Sequence, residues 1–304
     1  MSGATLPDHA VAPARGQSVL RLGPREFAQE RLLVMAIVNR TPDSFFRPGD
    51  SWDVDAAMDR VHEVIAQGAD IIDVGGVPAA PGPDVGTAEE IRRTAGFIAS
   101  VRAAYQDVVI SVDTWRHEVA REACAAGADL INDSWGGWDS DLAAVAAEFR
   151  AGLVCSHAGG LRPRTRPFRP SYADVVADVL AHTGKLAARA LEAGVEQERI
   201  VIDPAHDFGK NTWHSIELTR RLGELTATGW PVLVSVSNKD FVGETLDLPP
   251  SERLTGTLAT TSVCAWLGAR IFRAHHVIQT RHVLDMVSAI RGDAPPARAV
   301  RGLA

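Results

Sequence analysis

Apolar residues gather along this chain in eight short runs: LLVMAIVN (32–39), ADIIDVG (69–75), DVVISVD (107–113), ADLIND (128–133), GLVCSH (152–157), RIVIDP (199–204), PVLVSVS (231–237) and ARIFRAH (269–275). They are rich in Val and Ile and do not alternate with polar residues, which predicts strands buried on both faces. The stretches between them have a different period. AAMDRVHEVIAQG, EEIRRTAGFIASVRAA, YADVVADVLAHTGKLAARALEAG and ERLTGTLATTSVCAWLG place apolar residues at i, i+3, i+4 and i+7, as does a last stretch from Thr280 to Ile290. That is the helical period, and Gly68, Gly127, Gly194 and Gly268 stand where C-caps belong. Doubly buried strands joined by crossover helices pair in parallel. Eight such units without a linker predict a closed (β/α)8 TIM barrel, a single α/β domain. An open, doubly wound sheet is the other arrangement compatible with the rhythm. Residues 1–17 and 292–304, rich in Ala, Pro and Gly, lack the periodicity of packed structure, so the barrel is expected over 18–291 between two mobile ends.

Charge and composition narrow the function. With 31 basic and 38 acidic residues in 304 and a formal charge of -7, the chain has no basic stripe of the kind that holds nucleic acid. A small-molecule partner is expected instead. No run approaches the roughly 18 apolar residues of a membrane span. Cys124, Cys155 and Cys264 are odd in number and lie in apolar segments, forming neither a disulfide framework nor a zinc pattern. These features predict a soluble cytoplasmic protein.

Candidate chemistry sits at the strand ends, where βα loops of such barrels carry function. In order these are Asn39, Asp73, Asp113, Asn132 with Asp133, His157, Asp203, then Ser237, Asn238 and Lys239, and finally Arg273 and His275. Buried polar groups need partners, so a polar residue at every strand end predicts convergence on one pocket. Asp43 and Asp133 also read as ordinary turn residues. Asp113, Asn132, Asp203 and Lys239 suit a flat heterocycle with an amino-oxo edge, such as guanine or a pterin, because a carboxylate accepts two parallel N–H groups. The same donors are compatible with Mg2+. Arg273 and His275 suit an anion; alternatively Arg273 pairs with a neighbouring Asp and His275 or His276 caps the next helix.

The ordered set MAIVNRTPDSF, GADIIDVGG, ISVDT, INDSWGG, SHAGGLRPRT, IDPAHDFGK, SVSNKDFVG and RAHHV, across residues 31–291, resembles dihydropteroate synthase. That family condenses a dihydropterin diphosphate with p-aminobenzoate on a (β/α)8 barrel, with Mg2+ assisting and usually as a homodimer. The resemblance implies a pterin on Asp113, Asn132, Asp203 and Lys239. It implies pyrophosphate on Asn39, Arg273 and His275, with Mg2+ reaching Asn39 through the pyrophosphate. It also implies an aminobenzoate pocket between the loops after the first and second strands and the start of the helix after the seventh. Helix 253–267, with Trp266, is a candidate for the dimer contact.

The departures fall in that second pocket. Where the family usually has GGESTRPG, this chain has GGVPAAPG, which puts Ala79 at a Thr position and Ala80 at an Arg position. Where the family usually has SRKS, Asn238 replaces the Arg and Asp240 the second Ser. Asp240 would repel a benzoate, since like charges about 4 Å apart oppose binding by about 1 kcal/mol even in water. Lost charge-assisted contacts weaken binding by roughly 1.5–3 kcal/mol each. The expectation is a homologue with a retained pterin pocket and little or no synthase activity, like the second synthase-like copies of some actinobacteria. A working synthase in which Arg47, Arg162, Arg164 or Arg166 compensates is one alternative, and a methyltetrahydrofolate-binding methyl-transfer protein is another. His206 and Asp207, also unlike the family, have no role that the sequence explains.

Overall fold

The computed structural model describes residues 19–41 and 54–301. The expectation of a mobile segment over 1–17, the Asp43 turn and the candidate Arg47 lie outside the described residues. Each of the eight apolar runs forms a strand: β3 (Leu33–Asn39), β4 (Ile71–Gly75), β5 (Val109–Asp113), β6 (Leu130–Asp133), β7 (Gly152–Ser156), β8 (Ile200–Asp203), β9 (Leu233–Val234) and β10 (Ile271–Ala274). The sheet runs in the order β8-β7-β6-β5-β4-β3-β10-β9, and every pair in it is parallel. A parallel bridge between Ile202 and Val232 joins β8 to the start of β9 and closes the barrel. This is the (β/α)8 architecture, not the open sheet.

The helices follow from the amphipathic stretches: α1 (Val54–Ala66), α2 (Thr87–Ala104), α3 (His117–Ala125), α4 (Leu142–Phe149), α5 (Val175–Glu192), α6 (Thr212–Arg220), α7 (Leu222–Thr226), α8 (Asp240–Leu246), α9 (Leu254–Trp266) and α10 (Val277–Arg291). Gly127 and Gly194, both left-handed, directly follow the C-cap residues Ala126 and Ala193 that end α3 and α5. Two features exceed the simple eightfold rhythm. The stretch after β8 breaks into α6 and α7, and the short α8 is inserted between β9 and α9.

Because side chains alternate across a strand, each barrel strand sends one set inward and the other toward the helices. Leu33, Met35, Ile71, Val109, Leu130 and Val154 join Val201, Leu233 and Ile271 in one buried cluster inside the lower barrel. Their neighbours Val34, Ile72, Ile110, Ile131 and Leu153 belong to the larger cluster under the helices. One step further along the inward set the character changes, to Asp73, Ser111, Asn132, Ser156, Asp203, Ser235 and Arg273. The barrel is thus apolar at its base and polar at its mouth.

The base is sealed by an element that the pattern did not predict. β1 (Leu20–Leu22) and β2 (Arg25–Phe27) form an antiparallel hairpin whose Leu20, Leu22 and Phe27 complete the inner apolar cluster. Three-residue strands offer too little alternation to be read from sequence. Arg270, almost fully buried at the foot of β10, donates to the Phe27 and Ala28 carbonyls at 2.7 and 2.8 Å and ties the hairpin down. Leu22→Ala should therefore open a cavity under the barrel and lower stability by about 2–5 kcal/mol. Urea unfolding followed by circular dichroism measures this, and a loss below about 1 kcal/mol would mean that the plug contributes little.

Candidate functional site

Asp73 lies at the centre of the polar layer with no exposed surface. Its carboxylate accepts from Ser111 Oγ at 2.7 Å and from Arg273 Nε at 2.6 Å, and Asn132 Nδ2 approaches to 3.3 Å. A second nitrogen of the same guanidinium, Nη2, donates to Asp113 Oδ2 at 2.8 Å, while Ser134 Oγ donates to Asp113 Oδ1 at 2.8 Å. One cation therefore bridges two inward carboxylates on neighbouring strands. Burial pushes the Asp113 carboxyl above the usual range, opposed by Arg273 and reinforced by the Asp73 charge. Burial works against the Arg273 charge too, but Asp73 and Asp113 outweigh it and hold the group above its ordinary value.

Across the mouth, burial raises the Asp203 carboxyl to about 6, against its bond from the Ala205 N–H at 2.7 Å and the charge of Lys239. Burial lowers the Lys239 ammonium, which sits 4.3 Å from the centre of the Phe208 ring. Lys210 differs in kind. It is almost fully buried, and its three donors reach the carbonyls of His157, Ala205 and Phe208 at 2.8, 3.0 and 2.8 Å. It pins the loop after β8 against that after β7 and leaves no donor for a ligand.

Asp113, Asn132, Asp203, Lys239 and Arg273 thus share one mouth with Asp73, but the predicted convergence of every strand end does not hold. Asp133 and His157 fall on the outward set. Asp133 accepts from the Trp135 and Gly137 N–H groups at 3.1 and 2.6 Å, as its turn reading required. His157 is buried against α5, with Nε2 2.7 Å from Asp178, and burial lowers it to about 4. At the expected anion rim, Arg273 has the alternative arrangement, paired with neighbouring Asp residues. His275 places Nδ1 3.0 Å from Ser237 Oγ and is lowered to about 3 by burial, so it is neutral at pH 7. Asn39 ends β3 with Oδ1 beside Gly75, where an added Cβ would lie 3.4 Å from it. Asp73 was legible as a strand end but not as the hub. Its place in the inward alternation, two residues past Ile71, is the signal that identifies it.

Where the resemblance leads one to expect an acceptor pocket, Ala79 and Ala80 present exposed methyl groups. Asn238 adopts φ 56°, a left-handed conformation that Asn tolerates better than most side chains, which gives the Arg-to-Asn departure a backbone reason. Asp240 pairs with Arg253 at 2.9 Å, and the same Nη1 donates to the Asn238 carbonyl at 3.0 Å. Asp207 accepts from the Phe241 N–H at 3.3 Å and from Ser215 Oγ at 3.0 Å, so it caps the start of α8 from a different loop. His206 stacks on Phe241 with ring centres 5.5 Å apart and an interplanar angle of 24°, and burial lowers it to about 3. The two residues that the sequence left unexplained anchor the helix that follows Lys239.

The sequence profile of the pterin binding enzyme family matches residues 35–275. A Mycobacterium leprae protein named inactive dihydropteroate synthase 2 is 57% identical over 284 residues, covering 92% of this chain and 98% of that protein. The Thermus thermophilus dihydropteroate synthase solved with 4-aminobenzoate superposes with a TM-score of 0.80 at 35% identity, covering 90% of this chain and 100% of that one. The Clostridium difficile synthase solved in the presence of pteroic acid gives a TM-score of 0.79 at 34% identity, covering 86% and 97%. The chain belongs to the dihydropteroate synthase family of pterin-binding enzymes.

Arg273→Met keeps the side-chain length but leaves Asp73 and Asp113 buried beside each other without a cation. The expected loss is about 3–5 kcal/mol of unfolding free energy, the usual result of stripping one partner from a buried ion pair. Chemical denaturation at pH 7 measures it, and a loss under about 1 kcal/mol would show that water already solvates these carboxylates.

Proposed function

We propose that this chain is a pterin-binding barrel with little or no dihydropteroate synthase activity, its pterin-binding unit spanning about residues 18–291. The observation that carries the reading is the contrast across one mouth. Asp113, Asn132, Asp203 and Lys239 present an amino-oxo binding edge, while the acceptor side carries Ala79, Ala80 and the carboxylate of Asp240. Asp203 accepts the paired N–H donors of the pterin, Asn132 and Asp113 meet the far edge of the ring, and Lys239 donates to a ring acceptor. The name of the Mycobacterium leprae relative supports the inactive reading. The alternative of a compensating arginine is weakened at Arg164, whose guanidinium already bonds the carbonyls of Pro78, Ala80 and Pro83. No observation favours methyl transfer.

A resident Mg2+ does not fit the described residues of this mouth. Asp73 and Asp113 both bind Arg273, which leaves the neutral Asn39 Oδ1 as the available oxygen on the pyrophosphate side. The His117, Glu118 and Asp139 trio that gathers its ligand atoms within 4.8 Å lies at the start of α3, where Asp139 already accepts from the His117 N–H. Magnesium would arrive with a diphosphate ligand, whose leaving group would meet Asn39, Arg273 and His275. We also infer a homodimer through Val263 and Trp266 of α9 with Met286 and Ile290 of α10, which are 47, 51, 60 and 59% exposed on two adjacent helices. The three cysteines are buried and free, as suits a reducing cytoplasm. No helix among the described residues is long and apolar enough to cross a membrane.

Calorimetry with 6-hydroxymethylpterin should detect binding, and pyrophosphate release from its dihydro diphosphate with p-aminobenzoate should be absent or severely reduced. Turnover near that of an ordinary synthase would overturn the inactive assignment. The Asp203 carboxyl is raised to about 6, so it becomes a neutral acid, and a poorer acceptor, as pH falls through that value. Pterin affinity should therefore drop about tenfold from pH 7 to pH 5, a trend that Asp203→Asn abolishes together with most of the binding. If Asp203→Asn binds as the wild type does, the pterin edge has been misplaced.

A further inference from the structure

The loop after β7 crosses the mouth and grips the loop after β4. Arg164 Nε lies 3.1 Å from the Pro78 carbonyl and 3.2 Å from that of Ala80. Nη2 donates to the Ala80 carbonyl at 3.1 Å and Nη1 to the Pro83 carbonyl at 2.5 Å. A rigid fork of donors thus holds three carbonyls of a segment whose prolines at 78, 81 and 83 offer no N–H of their own. The fit is close: a Cβ on Gly82 would lie 2.9 Å from Arg164 Nη2. Arg164 itself adopts φ 62°, a left-handed conformation that is strained for a residue other than glycine and persists only where its surroundings enforce it. Thr165 bonds back to the Arg162 carbonyl through its backbone N–H and its hydroxyl, closing the turn that presents Arg164.

Just inside the grip, the same two loops contribute apolar side chains. Val77 and Leu161 pack with Phe208 against Trp115, Trp135 and Ala158. Trp135 meets Phe208 edge to face at 5.0 Å, and Phe208 in turn underlies the Lys239 ammonium. The rim beside Lys239 is therefore lined by the protein's own side chains, and the loop that carries Val77 is fastened from across the mouth.

We infer that Arg164 is a latch that keeps the acceptor side of the mouth closed, so that the site admits a pterin with a small 6-substituent and excludes the aryl extension of pteroic acid. This rests on the pterin-binding reading above, which it deepens. Arg164 is a specificity-determining and positioning residue: it acts on the loop and touches no ligand.

Two measurements test it on the full chain. The native cysteines are buried, so a nitroxide attached to Ala79→Cys reports on the loop selectively. The label should be immobile with Arg164 present and become mobile in Arg164→Ala. Arg164→Gly, which also relieves the left-handed strain, should mobilise it equally without loss of thermal stability. In calorimetry the wild type should bind 6-hydroxymethylpterin at least about 100-fold more tightly than pteroic acid, and the Arg164 variants should shrink that gap to about tenfold or less while pterin affinity holds. A label as immobile without Arg164 as with it, or a wild type that binds pteroic acid as tightly as the pterin, overturns the latch. If no pterin binds at all, the pterin reading fails, and the nitroxide measurement still decides the latch.

Discussion

The interaction on which this mouth depends is the bridge from Arg273 to Asp73 and Asp113. A barrel interior buries whatever its inward alternation presents, and here the upper layer presents two carboxylates from adjacent strands. Transferring even one such charge from water is expensive unless it is paired and hydrogen-bonded. A single guanidinium donating through two of its nitrogens satisfies both, and Ser111, Ser134 and Asn132 also donate to these carboxylates. The lower barrel can then be wholly apolar and plugged by the β1–β2 hairpin, because the polarity of the interior is confined to the upper layer. Base and mouth are parts of one arrangement, set by the change in the inward residues from Ile71 to Asp73 and from Ile271 to Arg273.

The rim obeys a different logic. Loops at this end contribute little to the core, so their chemistry can be exchanged with little effect on the fold. The charges present there now serve structure. Asp240 pairs with Arg253, which also holds the Asn238 carbonyl; Asp207 caps α8; and Arg164 binds loop carbonyls. Each occupies a donor or acceptor that an incoming ligand would otherwise meet. Charge remains abundant at the rim, but at Asp240, Asp207 and Arg164 it is internally paired.

Much of this was legible in the sequence because doubly buried strands leave uninterrupted apolar runs, and eight of them with crossover helices admit few topologies. The strand-end residues were legible for the same reason, as the first polar positions after each run. What those runs conceal is the inward and outward parity, since both faces are apolar. Asp133 and His157 therefore read as pocket residues until register places them on the helix side. Counting by twos from Ile71 or Leu130 recovers the distinction. The β1–β2 hairpin was too short to show a period, and His206 and Asp207 act on α8, more than thirty residues away, so no local pattern reports their roles.

Retention of a polar layer is weak support for ligand binding when that layer also holds the fold together. Asp73, Asp113 and Arg273 would persist for stability alone, because loss of any one strands the others. Asp203 and Lys239 are the discriminating pair. Burial disfavours the charge of each, raising Asp203 to about 6 and lowering Lys239. Neither is neutralised by a close ion pair of the kind that secures Arg273: Asp203 accepts from a backbone N–H, and Lys239 faces an aromatic ring. Apolar replacements there would relieve desolvation rather than break a network. Two penalised charges facing one open mouth are the mark of a site shaped for a ligand. Their presence, more than that of the Arg273 bridge, supports the proposed pterin edge in a barrel whose rim charges at Asp240, Asp207 and Arg164 are given over to structure.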